Sequence, residues 1–110
     1  MKYFRSERVS DLMMEELNKI ILREVEIPEA LITITDIEVQ KDLSQAIVKI
    51  SVYPSSKYDE VLKILQRNQS HFQYLLVRKM NIRPIPKISF QIDHGPEKAA
   101  IIEKKLLDQE

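Results

Sequence analysis

Apolar residues recur at helical spacing along the first segment: Val9, Leu12, Met13, Leu17, Ile20 and Ile21, between Ser6 and about Glu24. Arg8, Asp11, Glu15, Lys19 and Arg23 occupy the intervening positions, so the stretch reads as an amphipathic helix with one buried stripe. Pro28 closes it, because the residue before a proline disfavours the helical basin. Residues 31–39 are rich in β-branched side chains, and Ala46, Val48, Ile50 and Val52 alternate with Ile47, Lys49, Ser51 and Tyr53. Both read as strands, joined through the polar turn Lys41-Asp42-Leu43-Ser44. Within the first strand Ile32 and Ile34 share one parity while Ile37 and Val39 share the other. Either a bulge near Thr35-Asp36 shifts the phase, or both faces are partly covered.

The second half changes period. Pro54-Ser55-Ser56 ends the hairpin, and Ser56 with Asp59 has capping-box spacing, with Asp in place of the usual Glu or Gln. A helix from Lys57 buries Tyr58, Val61, Leu62 and Leu65. Ser70 with Gln73 repeats the capping spacing, and Asn68 tolerates the left-handed conformation that ends helices. The spacing predicts a break there, followed by a second helix burying Phe72, Leu75, Leu76 and Met80. One continuous helix through Asn68 and Ser70 is the alternative. Arg83-Pro84-Ile85-Pro86 cannot be helical and leads into a third strand, Lys87 to Asp93, alternating Ile88, Phe90 and Ile92 with Ser89 and Gln91. Gly95-Pro96 starts a short tail helix, Glu97 to Leu107. The order is α-β-β-α-α-β in one α+β domain over residues 1–95, with a C-terminal tail helix over 96–110.

Composition bounds the function. At 110 residues and 44% apolar content the chain supports one hydrophobic core. With no cysteine, disulfides and thiolate sites are excluded. No run approaches the roughly 18 apolar residues of a membrane span, and the charged N-terminus lacks the pattern of a signal peptide. The expected location is cytoplasmic. Seventeen basic residues cancel seventeen acidic ones. Because phosphate contacts usually supply a nucleic-acid binder's affinity, neutrality argues mildly against RNA unless charge is segregated by face. A single glycine leaves nothing from which to build a glycine-rich phosphate loop.

Catalytic chemistry finds little footing. His71 and His94 are the only histidines, and neither sits in a nucleophile or metalloprotease spacing. Asp93-His94 could supply two metal ligands where a site wants three or four; a turn beside Gly95 is the simpler reading. Asp36, Asp42 and Asp59 lie in or near turns and at a helix start, where aspartate serves local hydrogen bonds. No enzyme, no metal, no cofactor and no small-molecule substrate are expected. Tyr53, Tyr58, Phe72 and Phe90 fall mostly at core spacing, which leaves His71 and Tyr74 as exposed rings near the break. The basic residues are more informative. Arg67 precedes the break, Arg78, Lys79 and Arg83 lie at and beyond the end of the second helix of the pair, and Lys87 opens the last strand. Arg5 and Arg8 lead the first helix, and Ser70 offers a helix N-terminus whose amides suit a phosphate. If these converge, a neutral protein acquires a basic face. Alternatively Arg78 and Lys79 are solvated or balance a helix C-terminus, and Arg8 pairs with Asp11 or Asp36.

The element order, with two helices meeting at a tight kink before the last strand, resembles a type II KH domain. Three stretches carry a closer likeness: Arg5-x-x-Arg8-Val9; Thr33-x-Thr35-Asp36-x-x-Val39-x-x-Asp42-Leu43-Ser44-x-Ala46-x-Val48; and Leu76 through Ile82-Arg83-x-x-Pro86-x-Ile88-x-Phe90-x-x-Asp93. Together, over about positions 5 to 95, they resemble the ribosome-binding factor A family. Asn68-x-Ser70 stands where that family has an Ala-x-Gly kink, and Gln73 where it tends to have arginine. The resemblance implies a monomer that associates with the immature small (30S) ribosomal subunit and assists late maturation of 16S rRNA, including its 5′ region, and growth in the cold. Arg5, Arg8, Arg67, Ser70, Arg78, Lys79, Arg83 and Lys87 are its candidate RNA contacts, made through shape and phosphate rather than a GXXG clamp. A protein-interaction module, using a sheet edge or helical face without touching RNA, is the alternative.

Overall fold

The computed structural model describes residues 2–95, with side chains from Arg5 onward; the tail helix expected over Glu97–Leu107 lies outside the described residues. Helix α1 spans Lys2–Glu24, starting earlier than the apolar pattern indicated. Val9, Met13, Leu17, Ile20 and Ile21 are its buried stripe. The chain then turns through Ile27–Ala30, where Glu29 adopts φ 63°.

Strands β1 (Leu31–Val39) and β2 (Gln45–Tyr53) pair antiparallel, and β3 (Lys87–Ile92) adds in parallel on the far side of β2. Parallel pairing demands a crossover. Helices α2 (Tyr58–Arg67) and α3 (Gln69–Lys79) supply it, after a short 3-10 turn at Ser55–Lys57. The phase shift in β1 is a bulge: Ile34 faces Ile50 and Asp36 faces Lys49, leaving Thr35 as the extra residue. Ile34 and Ile37 can therefore both point into the core despite their opposite parity. The freed Thr35 hydroxyl donates to Asp93 Oδ2 at 2.7 Å, tying β1 to the end of β3.

The three helices cover one face of the sheet. Ala46, Val48, Ile50 and Val52 of β2 and Ile88 and Phe90 of β3 meet Met13, Leu17, Val61, Leu65, Phe72 and Leu76 in one cluster. Phe72 and Phe90 meet edge to face with ring centroids 6.1 Å apart. Each buried Phe or Leu contributes on the order of 2 kcal/mol by leaving water. On the open face Lys49 pairs with Glu38 at 2.7 Å. Tyr53, at core spacing by sequence, is instead 74% exposed, because it shares with Ile47, Lys49 and Ser51 the face of β2 opposite the buried Val52. No helix among the described residues is long and apolar enough to cross a membrane.

Candidate nucleic-acid interface

The spacing of 3.6 residues per turn divides the N-terminal half of α1 into two flanks beside its buried stripe. Arg5, Arg8 and Leu12 fall on one flank, and Glu7, Ser10 and Asp11 on the other. The basic flank faces the segment that enters β3. Arg5 Nη2 donates to the Arg83 carbonyl at 3.5 Å, and Arg5, Arg8 and Arg83 border a cleft of about 470 Å³. Val9, Leu12, Leu43, Ile82 and Pro84 form its apolar lining. Arg83 also borders a neighbouring hollow of about 600 Å³ with Val77, Arg78, Met80 and Asn81. Arg78, Arg83, Arg5 and Arg8 thus form one basic strip, with Arg83 shared between its halves. Arg78 lies over the half-exposed Tyr74 ring, 5.8 Å from its centroid, and donates to the Tyr74 hydroxyl at 3.3 Å.

The kink gathers the second group. Ser70 and Lys87 border a small hollow of about 170 Å³ with Gln69 and Gln73. Arg67 ends α2 and Lys79 ends α3, both exposed, and neither borders these hollows. The break falls at Asn68, one residue joining α2 to α3, but its chemistry differs from the expected capping box. Asn68 is not left-handed (φ −99°); its side-chain Nδ2 donates to the Ile64 carbonyl at 2.8 Å, closing α2. Ser70 lies inside the first turn of α3, where its exposed hydroxyl caps nothing. Gln73 is drawn instead to β3. Its Nε2 donates to the Pro86 carbonyl at 3.0 Å and its Oε1 accepts the Ile88 amide at 2.9 Å. Capping by Ser56 does not form either, since Lys57 precedes α2 without a side-chain cap.

Charge is segregated, and this reconciles zero net charge with a basic strip. Lys19, Arg23, Lys49 and Lys57 pair with carboxylates. Among the described residues Arg5, Arg8, Arg67, Arg78, Lys79, Arg83 and Lys87 have no such partner. Arg8 pairs with neither Asp11 nor Asp36. Those two carboxylates join Glu7 on the opposite flank of α1, where a shallow cleft runs against Ile37 and Val39 of β1. Asp36 is therefore a surface charge beside α1 rather than a turn hydrogen-bonder. Asp42 does serve its turn, accepting from the Ser44 amide at 3.0 Å and the Ser44 hydroxyl at 2.7 Å, and these bonds lower its pKa. Asp93 is likewise held below the usual carboxylate range, chiefly by the Thr35 hydroxyl and then by the Gly95 amide. His94 sets its ring against Tyr58, centroids 5.1 Å apart. The apolar lining of the arginine cleft was missed by sequence reading. Leu12 at 44% exposure, in register with Arg5 and Arg8 on one flank, was the available signal.

An α+β layer with two helices kinked before a parallel edge strand defines the class: the domain is KH-like. A family model described as ribosome-binding factor A matches residues 5–106. The chain is 36% identical over 106 residues to the ribosome-binding factor A of Caldanaerobacter subterraneus subsp. tengcongensis, covering 94% of this chain and 87% of that protein. It is also 36% identical over 110 residues to that of Staphylococcus carnosus, covering 98% and 96%. The crystal structure of ribosome-binding factor A from Thermus thermophilus superposes with a TM-score of 0.62 at 20% identity, covering 86% of this chain and 98% of that one. A homology model of the Thermus thermophilus factor, fitted into a cryo-EM map of its complex with the 30S subunit, superposes at 0.60 with 20% identity, covering 82% and 92%. The chain belongs to the ribosome-binding factor A family.

Proposed function

We propose that this protein binds the immature small ribosomal subunit and assists late maturation of 16S rRNA, including its 5′ region, with its greatest effect on growth in the cold. Family membership supports this target, as does the relative fitted into a map of a 30S complex. The observation that carries the mode of binding is the strip Arg78–Arg83–Arg5–Arg8, whose guanidiniums, among the described residues, have no carboxylate partners while Lys19, Arg23, Lys49 and Lys57 do. Unpaired guanidiniums suit phosphate oxygens, and Ser70 with Lys87 at the kink offers a second, smaller contact. Binding to backbone and shape needs no reacting group.

Co-sedimentation tests this reading. The protein should pellet with small subunits from cells lacking it and not with mature 70S ribosomes. Equal recovery with both, or with neither, would contradict it. A second reading, docking to a protein, draws on Leu31 and Tyr53: these cross-strand partners are 65% and 74% exposed at one end of the hairpin. Substituting both with serine while subunit binding stays intact would separate that surface from the arginine strip.

A further inference from the structure

The arginine cleft differs from the rest of the strip because phosphate alone does not account for its lining. Three guanidiniums without a carboxylate partner among the described residues stand at its edge, but its surface is largely apolar. Among the described residues Leu12 lies between them at 44% exposure. Leu43 reaches the floor from a surface turn, and does so with a left-handed backbone, φ 62°, that a bulky side chain adopts only at a cost in strain. Val9 and Leu43 also belong to the core, so the floor is held rigid from behind. The volume, about 470 Å³, falls in the range of small-ligand sites.

From this geometry we infer that the cleft between α1 and the segment 82–84 takes one unpaired nucleotide of RNA, its base against Leu12, Leu43 and Ile82 and its phosphates on Arg5, Arg8 and Arg83. This inference rests on the proposed binding to rRNA and adds the form of RNA recognised. An unstacked base is a flat apolar plate attached to an anion, which is the complement of an apolar floor edged by cations. In a duplex both faces of each base are already stacked, so only a single-stranded or splayed nucleotide can enter. Guanidinium planes can stack on the free face of the base while their edges hold phosphate. Apart from the arginines, the lining side chains bear no hydrogen-bonding group, so the cleft should accept any base with little preference. The acidic flank of Glu7, Asp11 and Asp36 repels the continuing strand and directs it toward Arg78.

The test uses the full chain with isotope-labelled Leu and Ile methyls, titrated separately with a hexauridylate strand, a short RNA duplex and inorganic phosphate. Hexauridylate should shift the methyl resonances of Leu12, Leu43 and Ile82, and the other two probes should leave them in place. Leu12→Gln, at an exposed position that folding tolerates, should weaken hexauridylate binding about fivefold or more, the loss expected when a base loses its apolar platform. Arg8→Gln should weaken it as well. Equal shifts with duplex or phosphate would overturn the inference, as would methyl shifts that depend on protein concentration without RNA, which would put a second copy in the cleft. Absent methyl shifts in a protein that still pellets with small subunits would refute the nucleotide site alone. Intact methyl shifts without pelleting would refute the ribosomal reading instead.

Discussion

Gln73 of α3 is hydrogen-bonded to Ile88 of β3 as though it were a neighbouring strand. Its Oε1 accepts the Ile88 amide at 2.9 Å while its Nε2 donates to the Pro86 carbonyl at 3.0 Å. The Ile88 amide points away from β2 and would otherwise lie unpaired on the strand's outer edge, in a residue that is fully buried. A helix side chain thus supplies what a fourth strand would have supplied, and fixes α3 against the sheet beside the kink.

Gln73→Ala leaves both backbone groups without a partner and should cost about 1–3 kcal/mol. Gln73→Glu retains an acceptor for Ile88 but sets an oxygen against the Pro86 carbonyl, so it should also destabilise. Urea denaturation measures both. An alanine variant within error of wild type would show that water replaces the amide without loss.

At the kink the two polar residues should behave oppositely. Ser70→Ala should change stability by no more than about 0.5 kcal/mol, because its hydroxyl caps nothing. Asn68→Ala should cost about 1 kcal/mol through loss of the bond to the Ile64 carbonyl. The reverse ranking in thermal or chemical unfolding would restore the serine cap.

Much of the fold was legible because hydrophobic period dictates it. The stripe from Val9 to Ile21, the alternation of β2 and the paired apolar runs around Asn68 each have one arrangement that buries them. The bulge at Thr35 was legible as a phase error. What local pattern could not settle was competition among polar partners. Ser70 and Gln73 have capping-box spacing, yet Gln73 is taken by a strand edge fifteen residues away, a contact that exists only after the crossover closes. The cation strip was foreseeable as residues but not as a surface. That Arg83 joins Arg78 to Arg5 and Arg8 depends on tertiary approach across 78 positions of sequence, and the opposing acidic flank of α1 becomes visible only when β1 is packed beside it.

Acid sensitivity should trace in part to Asp93. Its folded-state pKa is lowered, first by the Thr35 hydroxyl and then by the Gly95 amide. The folded state therefore favours the charged carboxylate. That contribution is complete above the unfolded value of about 3.9 and is lost as the pH falls through the lower folded value. Thr35→Val should flatten the decline in melting temperature between about pH 4 and pH 2, and leave neutral-pH behaviour dependent only on the lost bond. Lys49 runs the other way: its pKa is raised, mainly by the hydrogen bond to Glu38, so its contribution persists through neutrality and fades only above about pH 10.4. An acid limb unchanged by Thr35→Val would contradict this assignment.

Reversing charge at the end of α3 should weaken subunit association without unfolding the chain. Arg78 and Lys79 lie off the apolar stripe of Phe72, Leu76 and Met80. Arg78→Glu should have the larger effect, since only Arg78 borders the hollow it shares with Arg83. A greater loss from Lys79→Glu, in variants whose circular dichroism matches wild type, would move the contact off the strip.

The most direct measurement of the account is quantitative pelleting of Arg83→Glu and Lys63→Glu with immature small subunits over a salt series. Both substitutions change net charge equally, both residues are exposed, and only Arg83 borders the two halves of the strip. With about four phosphate contacts and about −0.7 per contact on single-stranded RNA, wild-type log affinity should fall against log salt with a slope near −3. The account predicts that Lys63→Glu keeps both affinity and slope within about twofold, whereas Arg83→Glu loses about tenfold or more in affinity and has a shallower slope. Equal losses in the two variants would contradict it, because binding would then follow net charge rather than the strip.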